Sequence, residues 1–166
     1  MASNKMKRVM EDVKREFKRS TDPREVEKGL DTDDSGIMQL RKACRLLQAS
    51  KKLVEENGYY TLVIDASFVA MERSVQAILL EKGIIEEGET VFDHEKILDK
   101  GEKAGIYGED FKNDLKQIWS ENRSKHYYRY GKPTEKRAEK IQELAESLHE
   151  QVKGMSSEGY KCICST

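Results

Sequence analysis

The chain predicts an all-α protein, and three observations carry that prediction. Only 11 of its 166 residues are Gly and 2 are Pro, so residues that break helices are scarce. Its abundant Glu, Lys, Leu and Ala lose little rotamer freedom on entering a helix. The third is the stretch from Tyr59 to Leu80, which is apolar almost all round. A helix of that kind must be surrounded by others, so it is expected to be the central member of an up-and-down bundle of about five to six helices. The length suits one domain with a real core and is too short for two ordinary ones.

Taken in order, Met6, Val9, Met10, Val13 and Phe17 recur at helical spacing behind a possible cap, Ser3, and Ser20-Thr21-Asp22-Pro23 supplies the stop. Residues 24–36 read as a polar connector, so residues 1–36 form an N-terminal helix and linker ahead of a bundle at 37–154. Leu40, Ala43, Cys44, Leu47 and Val54 mark a second helix closing near Asn57-Gly58. The central helix follows and stops at Lys82-Gly83. On it, Asp65, Glu72 and Gln76 share one stripe, which either pairs with a neighbouring helix, faces solvent or walls a cleft. A short helix is expected around Asp93 to Lys103, and another from Glu109 to about Lys125 carrying Phe111, Leu115, Ile118 and Trp119. In the last, from Thr134 to Lys153, Ala138, Ile141, Ala145, Leu148 and Val152 make a regular seam, with Thr134 as cap and Gly154 just past the end. Residues 155–166 lack periodicity and read as a flexible tail.

Charge and motifs exclude several functions. Thirty basic and 31 acidic residues nearly cancel to −1, so attraction for nucleic acid has to come from a local patch. No apolar run is long enough to span a bilayer and Met1 to Ser20 is too charged for a secretory leader, so a soluble, cytoplasmic protein without membrane contact is expected. Three cysteines imply no disulfide framework, and Cys44 falls on an apolar helical face where a buried thiol is common. Asp31-Thr32-Asp33-Asp34-Ser35-Gly36 matches half of a calcium loop, but the acid required at its twelfth position is Lys42, which favours a polar turn and helix cap. Cys162-Ile163-Cys164 can supply two zinc ligands, but the other two would have to come from distant residues such as His149, so neither metal nor cofactor is expected. The lipidation box needs Cys where Ile163 stands. A phosphate-cradling glycine loop and a nucleophile elbow are both missing from the sequence.

What remains is the run Glu121-Asn122-Arg123-Ser124-Lys125-His126-Tyr127-Tyr128-Arg129-Tyr130, just after the only Trp, Trp119. Imidazole can take a proton from a ribose hydroxyl and return one to a leaving oxygen, while a guanidinium forks onto the phosphate between them. His126 and Arg123, three apart, project from one side if the helix continues, with Lys125, Arg129, Tyr127, Tyr128 and Tyr130 as phosphate and base contacts. The same residues also suit a plain helix end, where cations are favoured by the dipole and tyrosines seal a bundle.

The runs Arg41-Lys42-Ala43-Cys44-Arg45-Leu46-Leu47 through Asn57-Gly58-Tyr59-Tyr60 and Asp65-Ala66-Ser67-Phe68-Val69-Ala70-Met71-Glu72 through Leu79-Leu80-Glu81-Lys82-Gly83 resemble the paired core helices of HEPN domains. Phe92-Asp93-His94 is similar to the Ser-His start of the next helix in that family, and the likeness spans residues 41–152. The family motif is Arg, a gap of roughly four to six, then His, with a polar residue after the Arg and Tyr two beyond the His. Aligned on His126, Asn122 fills the polar slot and Tyr128 the tyrosine slot, while Glu121 stands where the family has Arg. The resemblance implies a homodimer whose shared cleft binds RNA or nucleotide, with His126 as acid or base, Asn122 as a phosphate or 2′-hydroxyl partner and Arg123 or Arg129 as substitute cation. Because an acid at Glu121 repels phosphate, it implies weak or absent ribonuclease activity. Two alternatives stand beside it: an active metal-independent endoribonuclease using His126 and the shifted Arg123, and a non-catalytic helical dimer partnering a minimal nucleotidyltransferase in a toxin–antitoxin or defence system, with Tyr128 as nucleotide acceptor.

Overall fold

A computed structural model of the chain describes residues 3–56, 58–88, 93–122, 131–157 and 161–164. Among these residues there are six α-helices, a short 3-10 turn and no strand, as an all-α bundle requires. The chain divides into two compact units, Met1–Asp31 and Thr32–Thr166, which places Thr32–Gly36 with the bundle rather than with the N-terminal segment.

In the first unit, α1 (Asn4–Lys18) starts where Ser3 Oγ accepts the Met6 N–H at 3.2 Å. Its apolar stripe of Met6, Val9, Met10, Val13 and Phe17 is exposed, and α1 has no buried residue. The turn Pro23–Glu25 is capped by Asp22, whose carboxylate accepts from the Arg24 backbone N–H and guanidinium. That bonding holds the Asp22 carboxyl below its usual range.

The second unit is built on α2 (Ser35–Glu55), α3 (Tyr60–Glu81), α4 (His94–Lys103), α5 (Glu109–Glu121) and α6 (Glu135–Met155). Asp34 caps α2, accepting from Ile37 N–H at 2.8 Å, so the acidic run at residues 31–36 starts a helix as its Lys42 partner position suggested. The central helix is α3, which packs chiefly on α2 and α6 and carries α4 on another side. Val63, Met71, Val75, Ile78 and Leu79 of α3 are essentially removed from water, each worth about 1.5–3 kcal/mol of apolar burial. Small residues stand fully buried on all three core helices: Ala43 and Cys44 on α2, Ala70, Ser74 and Ala77 on α3, Ala138 and Ala145 on α6. They let the helix backbones approach closely, which is why a hydroxyl or thiol on one helix can meet a side chain on the next.

The ends follow local chemistry. At the close of α3, Gly83 takes φ +65° and the Ile84 N–H returns to Leu79 O at 2.8 Å, a turn that a side chain would strain. Asp93 caps α4 and Thr134 caps α6. Lys116 Nζ reaches Asp99 at 2.7 Å, tying α5 to α4 and holding the Asp99 carboxyl below its usual range. Gly101 lies against Tyr107, whose hydroxyl donates to Leu98 O at 3.1 Å; burial pushes that phenol far up. The expected end of the last helix moves as well. Helix α6 runs through Gly154 to Met155, because its seam continues into Val152 and the partly buried Met155. No helix among the described residues is long and apolar enough to cross a membrane.

Candidate functional site

Helix α5 ends at Glu121, and Asn122 closes it in helical conformation with its N–H directed to Ile118 O and Trp119 O. Of the residues singled out from the sequence, Arg123, Lys125, His126, Tyr127, Tyr128, Arg129 and Tyr130 lie outside the described residues. Their two flanks are described, and they meet. A cleft of about 290 Å³ has Ile64 and Phe68 of α3 and Ile141 and Leu144 of α6 as its apolar floor. Its lip is formed by Glu121 and Asn122 at the end of α5 and by Arg137 and Lys140 on the first turns of α6. Arg137 Nη1 donates to Lys132 O at 3.1 Å, which holds the guanidinium over the start of the helix. Glu121 accepts from Gln117 Nε2 at 3.3 Å and is the acid on this lip. The arrangement offers an apolar slot for a planar ring and cations for an attached anion. Pattern reading missed Arg137 and Lys140, because on the sequence they look like ordinary exposed charges of a surface helix.

The polar stripe of α3 resolves into separate partners. Glu72 is mostly buried and its Oε1 bonds His94 Nδ1, while the His94 ring packs on Trp119 with centroids 4.9 Å apart. Gln76 Oε1 accepts from Arg73 Nη1 at 3.3 Å, and the same nitrogen donates to Gln39 of α2 at 2.8 Å. These side chains line a second opening between α2, α3 and α4. Asp65 stands apart, its carboxyl pushed up by partial burial. The stripe is therefore paired with a neighbouring helix at Glu72, while Gln76 bonds Arg73 of its own helix, which in turn reaches α2.

A third group was only half visible in the sequence. Cys44 of α2, His149 of α6, Cys162 and Cys164 bring their ligand atoms within 4.8 Å of one another. Cys44 and Cys164, 120 residues apart, are joined as a disulfide with Cα atoms 5.4 Å apart. Burial holds His149 down to about 4, so the imidazole is neutral, and burial pushes the Cys162 thiol up. Cys162, Cys164 and His149 stood out by residue type. Cys44 did not, since a helical cysteine on an apolar face looks like core.

Among the described residues, the fold and these groups define an all-helical protein with a mixed apolar and cationic cleft and a partly buried cluster of sulfur and imidazole donors. Residues 1–164 match a family described as a domain of unknown function (DUF8154), and the chain belongs to that family. No curated protein and no solved structure matches it.

Proposed function

We propose that this protein is a HEPN-like homodimer that binds RNA or a nucleotide in the cleft between the end of α5 and the start of α6. The observation that carries the reading is the pairing of an apolar floor, Ile64, Phe68, Ile141 and Leu144, with the cations Arg137 and Lys140 on its lip. Bases and aromatic or apolar walls associate through their flat faces, and phosphate oxygens are matched by guanidinium and ammonium groups. The run from Arg123 to Tyr130 stands in the sequence between the two sides of this lip, and it supplies the cations and tyrosines that the reading assigns to the ligand. Asn122 is the polar partner and His126 the acid or base if a ribose hydroxyl is presented. Glu121 on the lip opposes phosphate and accounts for weak or absent cleavage.

Retention of a single-stranded RNA at several salt concentrations tests the reading. A phosphate-binding cleft gives a linear fall of log affinity with log salt, and Arg137→Ala with Lys140→Ala lowers both the affinity and the slope. Unchanged affinity in that double variant and in Arg123→Ala with Arg129→Ala refutes RNA or nucleotide binding here and leaves the non-catalytic dimer with a nucleotidyltransferase partner. Cleavage that persists in chelator and vanishes in His126→Ala would instead establish the endoribonuclease. A particle that remains monomeric at high concentration removes the shared cleft.

A further inference from the structure

The cysteine cluster joins two core helices to the segment that follows the last helix. Cys44 is fully buried in the middle of α2, His149 is 1% exposed near the end of α6, and Cys162 and Cys164 come from the segment beyond that helix. One residue earlier, Arg41 Nε donates to the Lys161 carbonyl at 3.4 Å, so the segment is seated on α2 as it arrives.

The orientation of the imidazole follows from one hydroxyl. Ser74 of α3 is fully buried, and its Oγ donates to Ala70 O at 2.9 Å. A hydroxyl has a single proton to give, so toward His149 Nδ1, also 2.9 Å away, Ser74 acts as acceptor. Nδ1 therefore carries the hydrogen, and Nε2 presents a bare lone pair. That lone pair faces Cys162 Sγ at 3.1 Å and Cys164 Sγ at 3.2 Å, and those two sulfurs are 3.0 Å apart. The Cys164 backbone N–H is directed at Cys162 Sγ at 3.4 Å. A buried hydrogen-bond acceptor that fixes the far nitrogen of a histidine is the usual outer partner of a metal ligand.

We propose that Cys44, His149, Cys162 and Cys164 form a structural zinc site of the three-thiolate, one-imidazole type. Three sulfurs and one imidazole nitrogen make a closed tetrahedral set, with zinc–sulfur distances of about 2.3 Å and zinc–nitrogen distances of about 2.0 Å. Around one such ion the donors stand roughly 3.5–3.8 Å apart, the scale on which these four already converge. Loading releases three thiol protons to solvent and leaves the imidazole as it is. A Cys44–Cys164 disulfide and the ion exclude one another, because the bond removes two of the three sulfurs from ligation. The disulfide uses two of the four donors, whereas the ion uses all four and the tautomer that Ser74 imposes. The site clasps residues 161–164 to α2 and α6, and so closes the bundle at its C-terminal end.

The test is elemental analysis and native mass spectrometry of the full chain, expressed with zinc and purified in a phosphine reductant. The expected result is about one zinc per chain, falling to about none in Cys162→Ser, and a Ser74→Ala protein whose zinc affinity drops roughly 10–100-fold. In protein prepared without reductant, a thiol count after denaturation in chelator gives three for the zinc form and one for a disulfide, and needs no variant. Wild-type protein with no zinc overturns the proposal whatever its thiol count. So does Cys162→Ser retaining zinc at full stoichiometry, since the ion would then lie elsewhere.

Discussion

Three serines in the bundle core offer a controlled measurement of what one hydroxyl is worth. Ser50, Ser67 and Ser74 are all fully buried, and each replacement by Ala deletes the same oxygen. Their partners differ. Ser74 Oγ bonds both Ala70 O and His149 Nδ1. Ser67 Oγ bonds only its own helix, at Val63 O, 2.7 Å away. Ser50 Oγ has no partner among the described residues. In Ser74→Ala the Ala70 carbonyl keeps its helical N–H, so the loss falls on His149, whose Nδ1–H is left buried and unpaired at a cost of about 1–3 kcal/mol. The better helix propensity of Ala returns up to about 0.5 kcal/mol. In Ser67→Ala the carbonyl is likewise kept and the change is expected within about 0.5 kcal/mol of zero. Ser50→Ala removes an unpaired polar atom and should stabilise by about 1 kcal/mol. Urea unfolding followed by far-ultraviolet circular dichroism, in reductant and chelator, gives each difference from the midpoint and slope. The order Ser50, Ser67, Ser74 from gain to loss is required. If Ser74→Ala costs no more than Ser67→Ala, the Ser74 to His149 bond and the tautomer built on it are wrong.

Other perturbations probe other links. Gly101→Ala places a Cβ 2.4 Å from the Tyr107 hydroxyl and 3.0 Å from Val75, and Tyr107 cannot withdraw freely because it bonds Leu98 O and packs on Phe111. A loss of about 1–3 kcal/mol is expected from the thermal midpoint, against the gain that Ala brings at an ordinary helix position. Asp34→Ala removes the α2 cap and should cost about 1 kcal/mol in the same assay. Asp65 has its carboxyl pushed up by burial, so the folded state holds its proton to higher pH than the unfolded chain does, and stability falls as pH rises from the ordinary value of 3.8 through the raised one. Asp65→Asn should therefore stabilise at neutral pH, with the gain gone at pH values well below 3.8, as read from urea midpoints across that range. Glu121→Gln should tighten RNA binding in a salt-dependent way, since it removes the acid on the cleft lip; unchanged affinity would detach that lip from the ligand.

Much of the helical order is written in local chemistry. The cap at Asp34, the glycine turn at Gly83 and the seam from Ala138 to Val152 depend on residues within a turn or two of each other, and each was legible from spacing. The apolar character of Tyr60–Glu81 over most of its circumference likewise settles its place at the centre, because so wide an apolar surface has to be covered by several neighbours. Gly154 was misleading for the same local reason: a glycine can stop a helix, but continued packing of Val152 and Met155 carried α6 past it.

The sites are another matter. Arg137 and Lys140 become the lip of a cleft only because the start of α6 lies opposite the end of α5, a meeting that no periodicity encodes. Cys44 reads as core until residues 161–164 fold back upon it across 120 positions, and Ser74 reads as a tolerated helix serine until α6 brings His149 to its hydroxyl. Chemistry along a helix is set by neighbours three and four residues away, so sequence alone determines it. Chemistry between helices depends on which faces the core presses together, and only the tertiary structure decides that.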